Sequence, residues 1–79
     1  MPGKMKALEI TREPTELYKI LKFEGWVSSG GEAKAEIAAG RVLLNGTIET
    51  RKRKKVVSGD VLEYQEEKVR IVYRPQTLS

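Results

Sequence analysis

The chain has 79 residues, of which 39% are hydrophobic and 33% charged, with a formal net charge of +4 at pH 7. This length and composition predict one small folded domain over residues 1–79. No apolar run exceeds three residues, which excludes a transmembrane helix and a secretory signal peptide. The chain contains no Cys and no His, which removes disulfides, zinc–thiolate sites and the commonest general base. We therefore expect a cytoplasmic protein that is not an enzyme and holds no cofactor or metal.

A strand and a helix are predicted at the start of the chain. Lys6–Ile10 alternates weakly between polar and apolar residues, which is typical of a short edge strand. Pro14 is suited to open a helix over residues 15–24, with Thr15 or the preceding turn as its cap. Gly25 then ends this first helix.

A second helix is predicted after the polar loop at residues 28–31, which is suited to capping. Glu32 lies in its first turn, where a carboxylate is favourable for the helix dipole. Lys34 falls on the exposed side of that turn. Gly40 stops the second helix.

From residue 42 onward the hydrophobic period changes from helical to two, which predicts strands. Val42–Leu44 runs into Asn45-Gly46, a type I′ hairpin signal, followed by residues 47–49. Val61–Tyr64 and residues 69–73 predict a second hairpin. The predicted architecture is α+β, with a helix pair packed on a small, mostly antiparallel sheet, a core over about residues 14–73 and frayed ends.

The positive charge is concentrated in one stretch, since Arg41 and residues 51–55 supply six cations against Glu49 alone. Five adjacent cations cannot pack in a core. Three explanations remain open: a solvated loop that serves solubility, a nuclear localisation signal, or an edge that contacts phosphates. Concentration of one sign favours a polyanion, because solubility alone is served by mixed charges.

Aromatic and turn residues have alternative assignments. We assign Trp26 to the core, although it could stack on a base. Tyr18, beside Lys22, is the better stacking candidate. Asn45-Gly46 is interpreted as a turn only, and Asp60 is expected to close its own turn without a chemical role.

The stretch over residues 25–60 resembles the RNA-binding domain named after ribosomal protein S-four, also called the alpha-L motif. Members of this family bind structured RNA through two helices and an adjacent basic loop. The match is closer still to its small stand-alone members, the YbcJ-like and YaaA-like bacterial proteins. The residues that fall in register with the family pattern are Gly25, Ser29, Ala33, Lys34, Ile37, Gly40, Val42, Leu44, Asn45, Gly46, Gly59, Asp60 and Leu62.

The sequence also departs from the family pattern. Gly30 stands where the family has Arg, and Glu16 and Tyr18 stand where Arg and Asp are expected. Lys34 occupies the position of another family Arg, which implies that it faces the groove between the two helices. Gly30 and Gly31 either let a phosphate approach the backbone or permit a tight turn between the helices. The predicted RNA-binding residues are Lys22, Gly30, Gly31, Lys34, Arg41, Arg51, Lys52, Arg53, Lys54 and Lys55.

We accordingly predict a non-enzymatic, monomeric RNA-binding protein that recognises structured RNA mainly through phosphate contacts. The resemblance implies ribosomal or transfer RNA and makes the ribosome a candidate partner, with no role at a membrane. The alternative is an adaptor that binds an acidic partner surface, for example on a ribosome-associated protein. A third hypothesis, nonspecific DNA binding, requires equal affinity for duplex DNA and folded RNA.

Overall fold

The computed structural model describes residues 5–75, in which two helices pack on one face of a sheet. The predicted α+β class is confirmed. The predicted frayed ends at residues 1–4 and 76–79 lie outside the described residues. In chain order the elements are β1 (Lys6–Ile10), β2 (Thr15–Glu16), α1 (Leu17–Phe23), α2 (Gly30–Ala38), β3 (Val42–Leu44), β4 (Thr47–Ile48), β5 (Lys55–Val56), β6 (Val61–Tyr64) and β7 (Glu67–Tyr73).

The main sheet has the strand order β1-β7-β6-β3-β4, and β2 and β5 form a separate antiparallel pair. The strands from β7 to β4 are antiparallel, as predicted, whereas β1 pairs with β7 in parallel, with Leu8 opposite Ile71. Leu8 and Ile10 are 7% and 3% exposed, because strand alternation turns both toward the helices. The core therefore begins before residue 14, where we expected its start.

Both predicted hairpins are present. Asn45 and Gly46 have φ angles of 55° and 84°, the left-handed values that a type I′ turn requires. In the second hairpin β7 begins at Glu67, two residues before the predicted start. The reason is that Glu67 and Lys68 pair with Tyr64 and Glu63 across the turn.

The start of α1 differs from the prediction of a helix from residue 15. Thr15 and Glu16 are extended and pair with β5, and the Thr15 hydroxyl donates to the carbonyl of Arg12 at 2.6 Å. Pro14 therefore does not open the helix and Thr15 does not cap it. At the other end, Gly25 adopts a left-handed φ of 79° and its N–H donates to Lys22, so the predicted stop is confirmed.

Helix α2 begins where the polar loop predicts it, with Ser29 as its N-cap. The Ser29 hydroxyl accepts a hydrogen bond from the Glu32 N–H at 3.1 Å. The Glu32 carboxylate in return accepts from the backbone N–H and the hydroxyl of Ser28, both at 2.9 Å. These hydrogen bonds, the backbone one first, hold the pKa of Glu32 below its ordinary value. This reciprocal cap fixes the direction in which α2 leaves the loop.

The core lies between the helices and the inner face of the sheet, which positions α1 and α2 side by side on the protein surface. Among residues 5–75, no helix is long and apolar enough to cross a membrane. The buried apolar residues are Leu8, Ile10, Leu17, Ile20, Leu21, Val27, Ala33, Ile37, Val42, Leu44, Val56, Leu62, Tyr64, Val69 and Ile71.

Candidate nucleic-acid interface

The basic segment, residues 51–55, is attached to the start of α1 through its backbone. The N–H groups of Leu17 and Tyr18 donate to the carbonyls of Lys54 and Lys52 at 2.9 and 3.1 Å. These are amides that a helix cannot satisfy within itself. The β2–β5 pair continues the attachment. In the basic segment, Lys54 is half-buried and the other four side chains are exposed, so the cations are available at a fixed place.

A groove between α1 and α2 holds two further predicted cations. The ammonium group of Lys34 lies 4.9 Å from the centre of the Tyr18 ring, and Lys34 is half-buried, as is Tyr18. A Cβ built on Gly30 would lie 3.8 Å from Cδ of Lys22 and 3.9 Å from the Tyr18 ring. The structure therefore brings Tyr18, Lys22, Gly30 and Lys34 together, as the expected position of Lys34 in the groove requires.

We name Tyr18, Lys22, Lys34 and the basic segment the cationic face. The link between its two parts is α1 itself, because Tyr18 binds the basic segment through its backbone and contacts Lys34 through its ring. Among the described residues, Lys22, Lys34, Lys52, Arg53 and Lys54 take part in no salt bridge.

Gly30 and Gly31 lie in the first turn of α2, and neither has a left-handed φ. A left-handed backbone is therefore not the reason for glycine at either position. A Cβ atom would also fit at both positions, since on Gly31 it would meet only the Ser29 hydroxyl, at 4.0 Å. The approach of a phosphate to these two glycines stays a prediction, and the Glu32 carboxylate already accepts the neighbouring Ser28 N–H.

Two of the predicted cations in the basic segment have carboxylate partners. Nε of Arg51 lies 2.8 Å from Oε2 of Glu49, and Nη2 lies 3.2 Å from Oε1, which makes the pair bidentate. This pair lowers the pKa of Glu49 and raises that of Arg51, through the side-chain hydrogen bond first. Nζ of Lys55 lies 3.8 Å from Oε2 of Glu16. The Arg51 and Lys55 side chains are exposed whereas their carboxylate partners are mostly buried, so both cations remain open to other anions.

Arg41 is predicted to contact RNA because of its expected neighbourhood in the family's fold, and this stays a prediction. It follows the C-terminus of α2, and its Nη1 lies 3.4 Å from Oε2 of Glu36. The Glu36 carboxylate also accepts the Tyr64 hydroxyl at 2.8 Å, which raises the pKa of Tyr64. The Glu49 N–H donates to the carbonyl of Val42, the residue after Arg41. This hydrogen bond places Arg41 near the residues that lead into the basic segment.

Trp26 and Asp60 make contacts that stabilise the fold. Nε1 of Trp26 donates to Glu67 at 3.2 Å, and its ring centre lies 5.4 Å from that of Tyr64, so Trp26 packs against the core. Asp60 accepts the Val57 N–H at 2.9 Å and an amide hydrogen of Asn45 at 3.0 Å. Asp60 thus links two turns.

Lys19 and Phe23 on α1 were missed by the sequence reasoning. The ammonium of Lys19 lies 6.0 Å from the centre of the Tyr18 ring, and Phe23 is 67% exposed. Their spacing of four residues, which places both on one side of α1, is the signal that could have indicated a second polar and aromatic surface.

Comparisons with known proteins agree with this geometry. Residues 8–72 match the family model of the S4 domain. The YbcJ proteins of Escherichia coli (strain K12) and Shigella flexneri are each 41% identical over 69 residues, which is 86% of this chain and 99% of theirs. The solution structure of E. coli YbcJ, which reveals an alfaL motif involved in RNA-binding, matches with a TM-score of 0.66 and 39% identity over 89% of this chain and 90% of that one. The resemblance drawn from the order of the sequence motifs is confirmed.

Proposed function

This chain belongs to the S4 domain family, and on that premise we propose that it is a non-enzymatic RNA-binding protein. It binds structured RNA, either ribosomal or transfer RNA, as a cytoplasmic monomer. Support comes from E. coli YbcJ, whose alfaL motif is involved in RNA-binding and whose chain corresponds to this one over almost its whole length.

The observation that carries the proposal is the attachment of the basic segment across the start of α1. Cations near a helix N-terminus are unfavourable, by about 0.3–1 kcal/mol each at low ionic strength, because the amide dipoles are positive there. The first turn of α1 contains no acidic residue, and its N-cap, Glu16, pairs with Lys55 alone among the five cations. Fold stability alone does not favour five cations at this position, whereas a polyanionic ligand does.

The cationic face binds phosphates rather than base edges. The A-form major groove is too narrow for side chains to read, so a structured RNA offers mainly its phosphates, its 2′-hydroxyls and the shape of its shallow minor groove. Lys22 and Lys34 in the groove and Lys52 and Arg53 beside it present four cations with no salt-bridge partner among residues 5–75. Because the backbone of the basic segment is already fixed by Leu17 and Tyr18, binding orders little more than side chains.

The test is the double variant Lys52→Gln/Arg53→Gln, titrated with a labelled transfer RNA at several salt concentrations. Both side chains are exposed, so the fold is retained, and the carbonyl of Lys52 still accepts from Tyr18. If both cations contact phosphates, the slope of log affinity against log salt falls by about 1.4–1.8. The matched control is Lys68→Gln on β7, opposite Glu63, which leaves affinity and slope unchanged.

Unchanged RNA affinity and slope in the folded double variant would contradict the assignment of the basic segment. Recovery from cells of an acidic protein that stays bound after nuclease treatment, without crosslinked RNA, would support the adaptor instead. Equal affinity for duplex DNA and transfer RNA would overturn the preference for RNA.

A further inference from the structure

A cleft of about 410 Å³ lies beside α1 and shares Lys55 with the cationic face. One wall is a stripe of α1 and the residue before it, made of Glu16, Lys19 and Phe23 at helical spacing. The cleft is also lined by Arg12 and Pro14, from the connection between β1 and β2, and by Lys55 of the basic segment.

The chemistry of this cleft is that of a nucleotide site. The charged residues that line the cleft are three cations, Arg12, Lys19 and Lys55, and one carboxylate, Glu16. Glu16 lies 3.8 Å from the ammonium groups of both Lys19 and Lys55, which holds these two cations on one wall. Arg12 takes part in no salt bridge among the described residues.

The apolar part of the cleft is an exposed aromatic ring. Phe23 is 67% exposed, more than any other large hydrophobic side chain in residues 5–75. The residues that α1 buries in the core are Leu17, Ile20 and Leu21, so the Phe23 ring lies outside the core. A solvated Phe beside three cations gives a base a surface on which to stack and gives its phosphate a counter-charge.

The cleft is continuous with the cationic face. Lys55 follows Lys54 in the basic segment, and its pairing with Glu16 places it at the mouth of the cleft. Lys19 on α1 lines the cleft, and its ammonium group lies 6.0 Å from the centre of the Tyr18 ring. Lys19 therefore lies between the cleft and the Tyr18 ring of the cationic face. Positive charge therefore continues from the cationic face to the cleft that holds Phe23.

We propose that this cleft binds one unpaired nucleotide of the RNA, with the base stacked on Phe23 and the phosphate held by Arg12, Lys19 and Lys55. This inference rests on the proposed function. It implies that the preferred RNA has a bulged or single-stranded nucleotide next to its helical part. Base identity is read weakly, because stacking on one ring tolerates every base.

The first experiment is an amide NMR titration of the full chain with 5′-AMP, adenosine and inorganic phosphate in separate samples. AMP is expected to shift the amides of Thr11, Lys19 and Phe23, phosphate alone only weakly, and Phe23→Ala to abolish the AMP shifts. Phe23→Tyr keeps a ring and retains them. The control Ile48→Ala, another exposed apolar residue, on β4, leaves them unchanged.

The second experiment compares a hairpin RNA carrying an unpaired 3′ tail with the same hairpin lacking it. Phe23→Ala is expected to weaken binding of the tailed RNA by about 5- to 100-fold and to leave the blunt hairpin unaffected. Equal shifts with AMP and phosphate, or a tail that makes no difference while the blunt hairpin binds, would overturn the cleft and spare the RNA proposal. AMP shifts without affinity for any RNA would uphold the nucleotide site and overturn the RNA proposal.

Discussion

The ammonium group of Lys34 on α2 lies 4.9 Å from the centre of the Tyr18 ring on α1, which places one cation across the groove between the helices. This distance is within the range of a cation–π interaction. Because both side chains are half-buried, Lys34 is held in direction before any ligand arrives. A cation placed in advance loses less side-chain entropy on binding a phosphate.

Tyr18→Leu is expected to weaken RNA binding by about 2- to 5-fold, since it removes a cation–π contact of about 0.5–1 kcal/mol. Tyr18→Phe keeps the ring and is expected to bind like the unmodified protein. Titration of both variants with the same transfer RNA measures this, with urea unfolding as the check on stability. Equal affinities of the Leu and Phe variants would show that the ring does not position Lys34.

Asn45 is expected to stabilise the fold well beyond its role as a turn residue. Its Oδ1 accepts the Val61 N–H at 2.9 Å, its Nδ2 donates to Asp60 at 3.0 Å, and its φ is 55°. Asn45→Ala, which loses both hydrogen bonds and strains the left-handed backbone, should lower the free energy of unfolding by about 2–3 kcal/mol. Asn45→Gly relieves the strain and should cost about half as much. A Gly variant as stable as the unmodified protein in urea would show that the side-chain hydrogen bonds contribute nothing.

Local patterns predicted most of the fold because its signals are short in range. The hairpin at Asn45-Gly46, the cap at Ser29 and the stop at Gly25 each depend on a few adjacent residues, and all three are confirmed. The start of α1 was predicted wrongly because a long-range contact decides it. Thr15 and Glu16 pair with β5, about 40 residues later, and no local propensity encodes that pairing.

The candidate site was predictable in charge and less so in geometry. Charge density alone singled out the basic segment, but the Glu49–Arg51 pair depends on a bend that the local pattern does not show. Arg41 was predicted from its expected neighbourhood in the family's fold, and its salt bridge to Glu36, five residues earlier, was not foreseen. Phe23 was missed because an aromatic residue near a helix end is usually assigned to the core, and only its spacing of four residues from Lys19 indicates a separate surface.

The cap of α2 is expected to make stability depend on pH through Glu32. Hydrogen bonds from Ser28 lower the folded-state pKa of Glu32 from the ordinary 4.5. The stabilisation is therefore complete above pH 4.5 and is lost as pH falls through the lowered folded-state value. Urea unfolding from pH 7 to pH 3 should show a difference between the unmodified protein and Glu32→Gln that is constant at neutral pH and shrinks in acid.

The control for this pH dependence is Ser29→Ala, which removes a neutral cap. It should lower the free energy of unfolding by about 1 kcal/mol at pH 7, and the Ser29 hydroxyl itself does not titrate. A Glu32→Gln difference that persists unchanged to pH 3 would assign the effect of Glu32 to its shape and not to its charge.

Glu49→Gln is expected to tighten RNA binding, because Glu49 competes with phosphate for Arg51. The carboxylate makes the bidentate contact at 2.8 and 3.2 Å and also accepts the Arg51 N–H at 3.1 Å. Its neutral amide frees the guanidinium, while the backbone bond from Glu49 N–H to Val42 remains. If Arg51 then gains a phosphate, the slope of log affinity against log salt steepens by about 0.7–0.9.

The matched control for charge is Glu63→Gln on β6, which raises the net charge by the same amount on the outer face of the sheet, opposite Lys68. Because the two surfaces differ, only Glu49→Gln should steepen the slope, whereas a general charge effect would act in both variants. Salt titrations of both variants with one transfer RNA separate the two cases. An unchanged slope in Glu49→Gln, with the fold intact by circular dichroism, would show that Arg51 serves the bend of its own loop and leaves phosphate contact to Lys52 and Arg53.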